Sequence, residues 1–97
     1  MENSQAIADI AAERARQVEQ EGWTPEHDDQ HASGEIGKAA AAYAIADMSD
    51  NVLAAGAISQ VWPWDWKWWK PTTYRRNLVK AGALIVAEIE RLDRAAG

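Results

Sequence analysis

A basic, tryptophan-rich segment at positions 61–80, VWPWDWKWWKPTTYRRNLVK, constrains the fold of this chain more than any other feature. It holds five of the six tryptophans: Trp62, Trp64, Trp66, Trp68 and Trp69. It also holds five of the ten lysines and arginines, against the single acid Asp65: Lys67, Lys70, Arg75, Arg76 and Lys80. Because exposing five indole rings to water is unfavourable, we expect the segment to fill a small core, bind a ligand or form a subunit interface.

The composition predicts one all-α domain over positions 1–97. A chain of 97 residues has the size of a single domain. Its apolar content is rich in alanine and free of phenylalanine, which favours helices over sheet. There is no cysteine, so disulfides, thiolate nucleophiles and cysteine-ligated metals are excluded. Because the sequence shows no signal-peptide pattern and no apolar run of membrane-spanning length, we expect a cytoplasmic protein without a membrane partner.

The charge of the chain is unevenly distributed. The net charge of −5 and the pI near 4.9 argue against duplex DNA as a partner, since DNA binding needs a broadly basic surface. Positions 1–35 hold nine acids and two arginines, whereas positions 62–80 are basic. We expect the two regions to attract each other, within one chain or between subunits. The alternative is that the acids hold a divalent metal ion and the cations hold a phosphate.

Hydrophobic spacing and capping residues predict about four helices. The first covers about positions 5–20, with Ser4 as its N-cap and Gly22 beyond its end. The residues expected on its inner face are Ile7, Ile10, Ala11, Arg14 and Val18. The residues expected on its outer face are Glu13, Arg16, Gln17 and Gln20.

The second predicted helix covers positions 25–48, with Thr24 as N-cap and Pro25 at its first position. Gly34 and Gly37 lie inside it, where we expect them to mark the close approach of another helix. A short helix at positions 51–60, a loop with one helical turn in the tryptophan segment, and a helix from position 72 or 73 to 95 complete the chain. Because the apolar stripes are thin, we expect an antiparallel bundle completed by oligomerisation, as a dimer or tetramer.

Histidines and acids near the start of the second helix are candidate metal ligands. Asp28, His31 and Glu35 are spaced i, i+3, i+7, and His27, His31 and Glu35 are spaced i, i+4, i+8. Either set would lie on one face of a helix. Carboxylate and imidazole groups suit Mg²⁺, Mn²⁺ or Zn²⁺. The alternative is an acidic helix N-terminus favoured by the helix dipole, with exposed histidines.

The tryptophan segment supplies the candidate ligand-binding residues. Arg76 and Lys80 are spaced i, i+4 near the start of the last helix, where backbone amides and two cations would form an anion site. Indole rings stack on nucleobases. The candidate set is Trp66, Trp68, Trp69, Lys67, Lys70, Arg75, Arg76 and Lys80. The alternatives are that the cations pair with the acidic region and that the indoles fill a core or interface, with Trp23 at the corner between the first two helices.

Three stretches, ERARQVEQEGWTPEHDDQHASGEIGKAAAAYA, WPWDWKWWKP and RRNLVKAGALIVAEIERLDR, resemble small phage and prophage proteins grouped with the MazG-like all-α nucleotide pyrophosphohydrolases. That family holds Mg²⁺ with helix-borne carboxylates in E-E-x-x-E and E-x-x-D patterns. Positions 31–35 keep only Glu35 of the first pattern, with Asp28 one turn earlier, and positions 77–80 keep neither acid of the second. The resemblance implies a nucleotide-shaped pocket in an oligomeric helical domain, in the host-cell cytoplasm if the chain is phage-encoded.

Three functional hypotheses follow. The first is a binding protein that senses or sequesters a nucleotide or nucleotide-derived signal, as phage anti-defence sponge proteins do. The second is an Mg²⁺-dependent pyrophosphohydrolase acting on NTPs or dNTPs, with Glu35 and His31 as candidate catalytic residues and Asp29 as an alternative base. The third is an interaction module whose tryptophans bind a protein partner.

Overall fold

The computed structural model describes residues 4–48 and 51–97, which form helices, turns and loops but no β-strand. Those residues contain five α-helices: α1 (Gln5–Glu19), α2 (Pro25–Asp28), α3 (Glu35–Ala44), α4 (Val52–Val61) and α5 (Tyr74–Ala96). Single 3₁₀ turns lie at Ala46–Met48 and Trp66–Trp68. The all-α prediction is confirmed, and the helical turn expected in the tryptophan segment is present. No helix in the described ranges is both long and apolar enough to cross a membrane.

Short polar side chains fix where four of these helices begin. Ser4 Oγ and Thr24 Oγ1 each accept a hydrogen bond from the backbone N–H three residues ahead, at 3.2 and 3.3 Å. Asn51 and Thr73 cap α4 and α5 in the same way. Each cap satisfies an N–H group that has no partner within its own helix. The predicted N-caps Ser4 and Thr24 are therefore confirmed.

The predicted continuous helix over positions 25–48 is wrong, because the chain leaves helical geometry between α2 and α3. Gly34 has a φ of 87°, a left-handed conformation that glycine adopts without the steric cost imposed by a Cβ. A Cβ built at Gly34 or Gly37 would meet no atom within 4 Å, so neither glycine marks a close helix approach. The break gives five helices instead of about four, and it removes the single helical face on which the metal prediction depended.

Helix α5 is the element against which both α1 and α3 pack, while α4 packs on α3. Small side chains let these helices approach closely, since Ala39, Ala42 and Ala83 are fully buried. Gly82 faces Ile10, whose Cδ1 would lie only 2.8 Å from an added Cβ. The alanine-rich α3 is thus buried where it meets its neighbours.

Helix α1 buries polar residues that were expected on its outer face. Glu13 and Gln17 are 2% and 1% exposed, whereas Ile7 of the expected inner face is 52% exposed. Arg16 and Arg76 both pair with the Glu13 carboxylate, which makes its burial tolerable. The predicted orientation of α1 is therefore wrong at Glu13 and Gln17, because partners from distant parts of the chain decide which face is covered.

Ion pairs join the acidic N-terminal region to the basic segment within one chain. Arg75 Nη2 lies 2.8 Å from Asp9 Oδ2, and Arg76 pairs with Glu13. The attraction predicted between the two regions is therefore present inside the molecule.

Candidate ligand-binding site

The tryptophan segment divides into buried and half-exposed rings. Trp62 is 7% exposed and belongs to the core. Trp69 packs against that core, with its ring centroid 4.7 Å from that of Tyr43. Trp66 and Trp68 remain 51% and 46% exposed. Of the three tryptophans predicted to bind a ligand, Trp69 serves core packing, and Trp66 and Trp68 present surface that a ligand could reach.

A cleft of about 290 Å³ opens between α1, α5 and the loop that joins α4 to α5; we call it the cationic cleft. Its charged lining residues are Arg16, Lys70, Arg76, Lys80, Glu13 and Glu21. Its aromatic lining residues are Trp23, Tyr43 and Trp68. The predicted ligand residues that line it are Trp68, Lys70, Arg76 and Lys80, and those that do not are Trp66, Trp69, Lys67 and Arg75. The fold therefore gathers half of the predicted set around one cavity.

The floor of the cationic cleft is made of buried polar groups from α1. Burial opposes ionisation of Glu13, but hydrogen bonds and charge from Arg16 and Arg76 outweigh it and lower the Glu13 pKa. Gln17 Nε2 donates to Glu13 Oε2 at 3.2 Å. Gln17 Oε1 is buried and accepts no hydrogen bond from the described residues. The Glu13 carboxylate is thus held ionised, with its oxygens occupied by the protein's own donors.

The rim of the cationic cleft is fixed by three hydrogen bonds to the loop before α5. The Lys70 N–H donates to Tyr43 Oη at 3.2 Å, and Lys80 Nζ donates to the Lys70 carbonyl at 2.8 Å. The Thr72 N–H donates to the buried Asn77 Oδ1 at 2.7 Å. Burial raises the pKa of the Tyr43 hydroxyl, which therefore stays neutral at pH 7. These contacts set the direction in which Lys70 and Lys80 present their charges.

The predicted phosphate-binding cations differ in whether they already pair with a carboxylate of the protein. Arg75 and Arg76 pair with acids of α1, which was the alternative reading of these residues. By contrast, Lys67, Lys70 and Lys80 have no carboxylate within 4 Å among the described residues. The Nζ atoms of Lys67 and Lys70 lie 5.4 and 5.9 Å from the centroid of the Trp68 ring. Lysines, rather than the arginines, are the cations left to meet an anion.

Lys80 holds its positive charge at an energetic cost. Burial, followed by the nearby charge of Arg76, lowers the pKa of the Lys80 ammonium below its usual range. Glu13 and Glu21 act in the opposite direction but do not outweigh these two effects, so a bound anion beside Lys80 would favour its charged form further.

A second cleft, of about 370 Å³, adjoins the first, and we call it the aromatic cleft. Its lining residues are Trp23, His27, His31, Trp64, Trp68, Glu21 and Asp65. The rings contact one another in sequence, with centroid distances of 6.3 Å for Trp23–His27, 4.9 Å for His27–His31 and 5.4 Å for His31–Trp64. Trp64 Nε1 is buried and donates to no acceptor in the described residues.

Sequence reasoning missed this aromatic cleft. Trp23 was expected at a helix corner, and His27 and His31 were considered as metal ligands. The available signal was the spacing of four residues between Trp23, His27 and His31, which brings three rings together when the segment is locally helical. The contribution of Trp64 could not be read from this spacing, because it comes from more than thirty residues further along the chain.

Of the candidate metal ligands, His31 and Glu35 contact each other, whereas Asp28 pairs with Arg14. Asp28 is 3% exposed and its Oδ2 lies 2.8 Å from Arg14 Nη2, so it forms a structural ion pair. His31 Nδ1 lies 3.3 Å from Glu35 Oε2. Hydrogen bonds from the backbone N–H groups of Glu35 and Ser33 lower the Glu35 pKa. Across residues 4–48 and 51–97, no three histidine or acidic side chains form a group that could hold a metal ion, so these residues do not fit Mg²⁺.

Comparison of the chain with protein-family models, curated proteins and solved structures finds no match. Asn77 and Lys80, which stand where the resemblance would place the E-x-x-D acids, fix the rim of the cationic cleft through hydrogen bonds to Thr72 and Lys70.

Proposed function

We propose that the protein binds a nucleotide or a nucleotide-derived anion at the cationic cleft. One observation supports this best: Lys70 and Lys80, both without acidic partners in the described chain, lie in a cleft of about 290 Å³ beside the half-exposed ring of Trp68. Ligand sites for small organic molecules commonly start at about 300 Å³. A flat ring next to ammonium groups suits a ligand that is planar at one end and anionic at the other.

Binding is favoured over hydrolysis by the arrangement of the acids. Glu13, the acid at the cleft floor, already accepts hydrogen bonds from Arg16, Gln17 and Arg76. Asp28 pairs with Arg14, away from Glu35. A binding protein that does not turn its ligand over would act by sequestration or sensing, which agrees with the first sequence hypothesis and with the resemblance to small phage proteins.

We further propose that the domain is a homo-oligomer. Leu78, Ile85, Ile89 and Leu92 are 40–52% exposed and follow the helical repeat along one side of α5. Apolar side chains aligned in this way favour contact with a second copy of the chain over contact with water.

Isothermal titration calorimetry against NTPs, dNTPs, cyclic dinucleotides and ADP-ribose derivatives tests the binding proposal. We expect at least one of these ligands to release heat on binding and to saturate at a fixed ratio of ligand to protein. Lys80→Met and Trp68→Ala should each weaken that ligand about tenfold or more, or about 1.4 kcal/mol, as expected for loss of one good contact. Lys38→Met, an exposed lysine outside both clefts, is the matched control and should change affinity less than twofold. Absence of heat from every ligand overturns the proposal.

Pyrophosphate release in the presence of Mg²⁺ or Mn²⁺ separates binding from hydrolysis. We expect none from the purified protein with the ligand that binds best. Release that disappears in Glu35→Gln would instead establish the pyrophosphohydrolase hypothesis.

A further inference from the structure

The aromatic cleft and the cationic cleft are two halves of a continuous surface. They share Glu21, Trp23 and Trp68 in their linings, so Trp68 borders both. The charges are sorted between them. The charged residues that line the cationic cleft are four lysines and arginines together with Glu13 and Glu21, a balance of +2 (4 − 2). The described lining of the aromatic cleft has the acids Glu21 and Asp65 and no lysine or arginine. A ligand that crosses Trp68 therefore passes from a region that attracts anions to one that repels them.

The aromatic cleft also contains a donor that lacks an acceptor. Trp64 Nε1 is buried and bonds to nothing in the described residues, although Trp64 lines the cleft. Buried polar groups in folded proteins are nearly always hydrogen-bonded, so an unpaired indole N–H on a residue that lines the cleft is a donor that a water or a ligand from outside the chain would satisfy. Nucleobases present such acceptors, as ring nitrogens and carbonyl oxygens, next to a flat face that stacks on aromatic rings.

From this difference in charge between the two clefts we infer that they bind different parts of one ligand. The base lies in the aromatic cleft, where it accepts a hydrogen bond from the Trp64 indole N–H, and the phosphates lie in the cationic cleft. The inference rests on the proposed function and assigns the two ends of its ligand. It moves the base from Trp66 and Trp69, where the sequence had suggested it, to Trp23 and Trp64. It also gives Trp68 a place at the junction between base and phosphate.

The two halves can be tested with separate fragments. The uncharged nucleosides adenosine, guanosine, cytidine and uridine probe the aromatic cleft, and inorganic tripolyphosphate probes the cationic cleft. We expect one or more nucleosides to bind in the presence of saturating tripolyphosphate. We expect Trp64→Phe, which keeps a ring but removes the N–H, to weaken the nucleoside about fivefold or more and tripolyphosphate less than twofold. Lys80→Met should show the reverse pattern. Trp66→Phe, the same change on a ring outside both clefts, is the matched control.

The indole N–H signals in a ¹H–¹⁵N spectrum give a second measurement, in which ligand is added to the parent protein and Trp64→Phe serves only to assign a signal. The signal that disappears in Trp64→Phe belongs to Trp64, and nucleoside should shift it while tripolyphosphate leaves it unchanged. Displacement of the nucleoside by tripolyphosphate, or nucleoside shifts confined to Trp66 and Trp69, would overturn the divided site while nucleotide binding still stands. If neither the fragments nor any nucleotide binds, the proposed function itself has failed.

Discussion

At the scale of single residues, Glu13 shows how a charge becomes part of a core. It is 2% exposed, yet its pKa is lowered, since Arg16 and Arg76 favour the ionised form more strongly than burial opposes it. Both arginines keep about a third of their side chains in solvent, which weakens each pair by screening. The carboxylate therefore organises the cleft floor while the guanidinium groups connect that floor to the surface.

Replacing Glu13 by glutamine should lower stability and change its dependence on pH. We expect a loss of about 1–3 kcal/mol at pH 7, since two guanidinium groups lose the negative charge of their partner and one of its two acceptor oxygens. Because the folded pKa lies below the ordinary value of 4.5, the contribution of Glu13 is complete above pH 4.5 and is lost as the pH falls through the folded pKa. Urea unfolding measured from pH 7 down to pH 3 should show a shallower acid decline in Glu13→Gln. Parallel declines in the two proteins would contradict this account of Glu13.

At the scale of elements, the loop before α5 depends on side chains from the helices around it. Tyr43 of α3, together with Asn77 and Lys80 of α5, fixes its backbone and so positions the lysines of the cationic cleft. The break between α2 and α3 acts in a comparable way on the aromatic cleft. By ending α2 after Asp28 and starting α3 at Glu35, it leaves the His31 ring against Trp64.

Replacing Tyr43 by phenylalanine should affect stability modestly and binding more. The ring contacts with Trp62 and Trp69 remain, but the Lys70 N–H loses its acceptor, at a cost of about 0.5–1.5 kcal/mol. We expect weaker binding of the best calorimetric ligand, because Lys70 is no longer held at the rim. Tyr74→Phe, at a half-exposed position outside the clefts, serves as the control for chemical denaturation and for titration. Equal effects of the two substitutions would show that the Tyr43 hydroxyl does not position this loop.

The two glycines of the region predicted as one helix should respond in opposite directions to alanine. Gly34→Ala places a Cβ on a left-handed residue and should destabilise the protein by about 1–2 kcal/mol. Gly37→Ala lies within α3 with open space around the new methyl group, and should stabilise it by about 0.5–1 kcal/mol. Thermal unfolding of the two variants against the parent protein measures both. A stabilising Gly34→Ala would mean that the helix continues through this position.

At the scale of the whole molecule, no element within residues 4–48 and 51–97 fully covers one side of α5, where Leu78, Ile85, Ile89 and Leu92 are 40–52% exposed. The same helix supplies the cationic cleft through Arg76 and Lys80 and exposes Ile85, Ile89 and Leu92 elsewhere on its surface. In an oligomer formed through this apolar side, both clefts of each copy stay accessible only if the interface does not cover the residues at their edges.

Light scattering coupled to size-exclusion chromatography tests the oligomer. We expect the parent protein to run as a dimer or tetramer, and Ile89→Asp to shift it toward monomer, because a buried charge without a partner opposes association. Val52→Asp is the control: Val52 is 85% exposed and belongs to α4 instead of α5. A monomeric parent protein, or dissociation caused equally by the two substitutions, would rule out α5 as the interface.

Much of the local structure could be predicted because its causes lie within a few residues of one another. The Ser4 and Thr24 caps, the all-helical class and the turn in the tryptophan segment follow from short-range hydrogen bonding and propensity. The break at Gly34 is also local, but glycine is compatible with both a helix interior and a left-handed turn, so spacing alone did not distinguish them. Half of the predicted ligand residues reach the cationic cleft because α5 and the loop before it carry them together.

Other features were decided only when distant parts of the chain met. The face of α1 that is buried depends on Arg76, sixty-three residues after Glu13. The aromatic cleft needs Trp64 beside His31, and the freedom of Lys80 depends on acids that pair with Arg75 and Arg76 instead. Hydrogen bonds between near neighbours can be read along a chain, whereas burial and charge pairing are set by whichever groups the fold brings into contact.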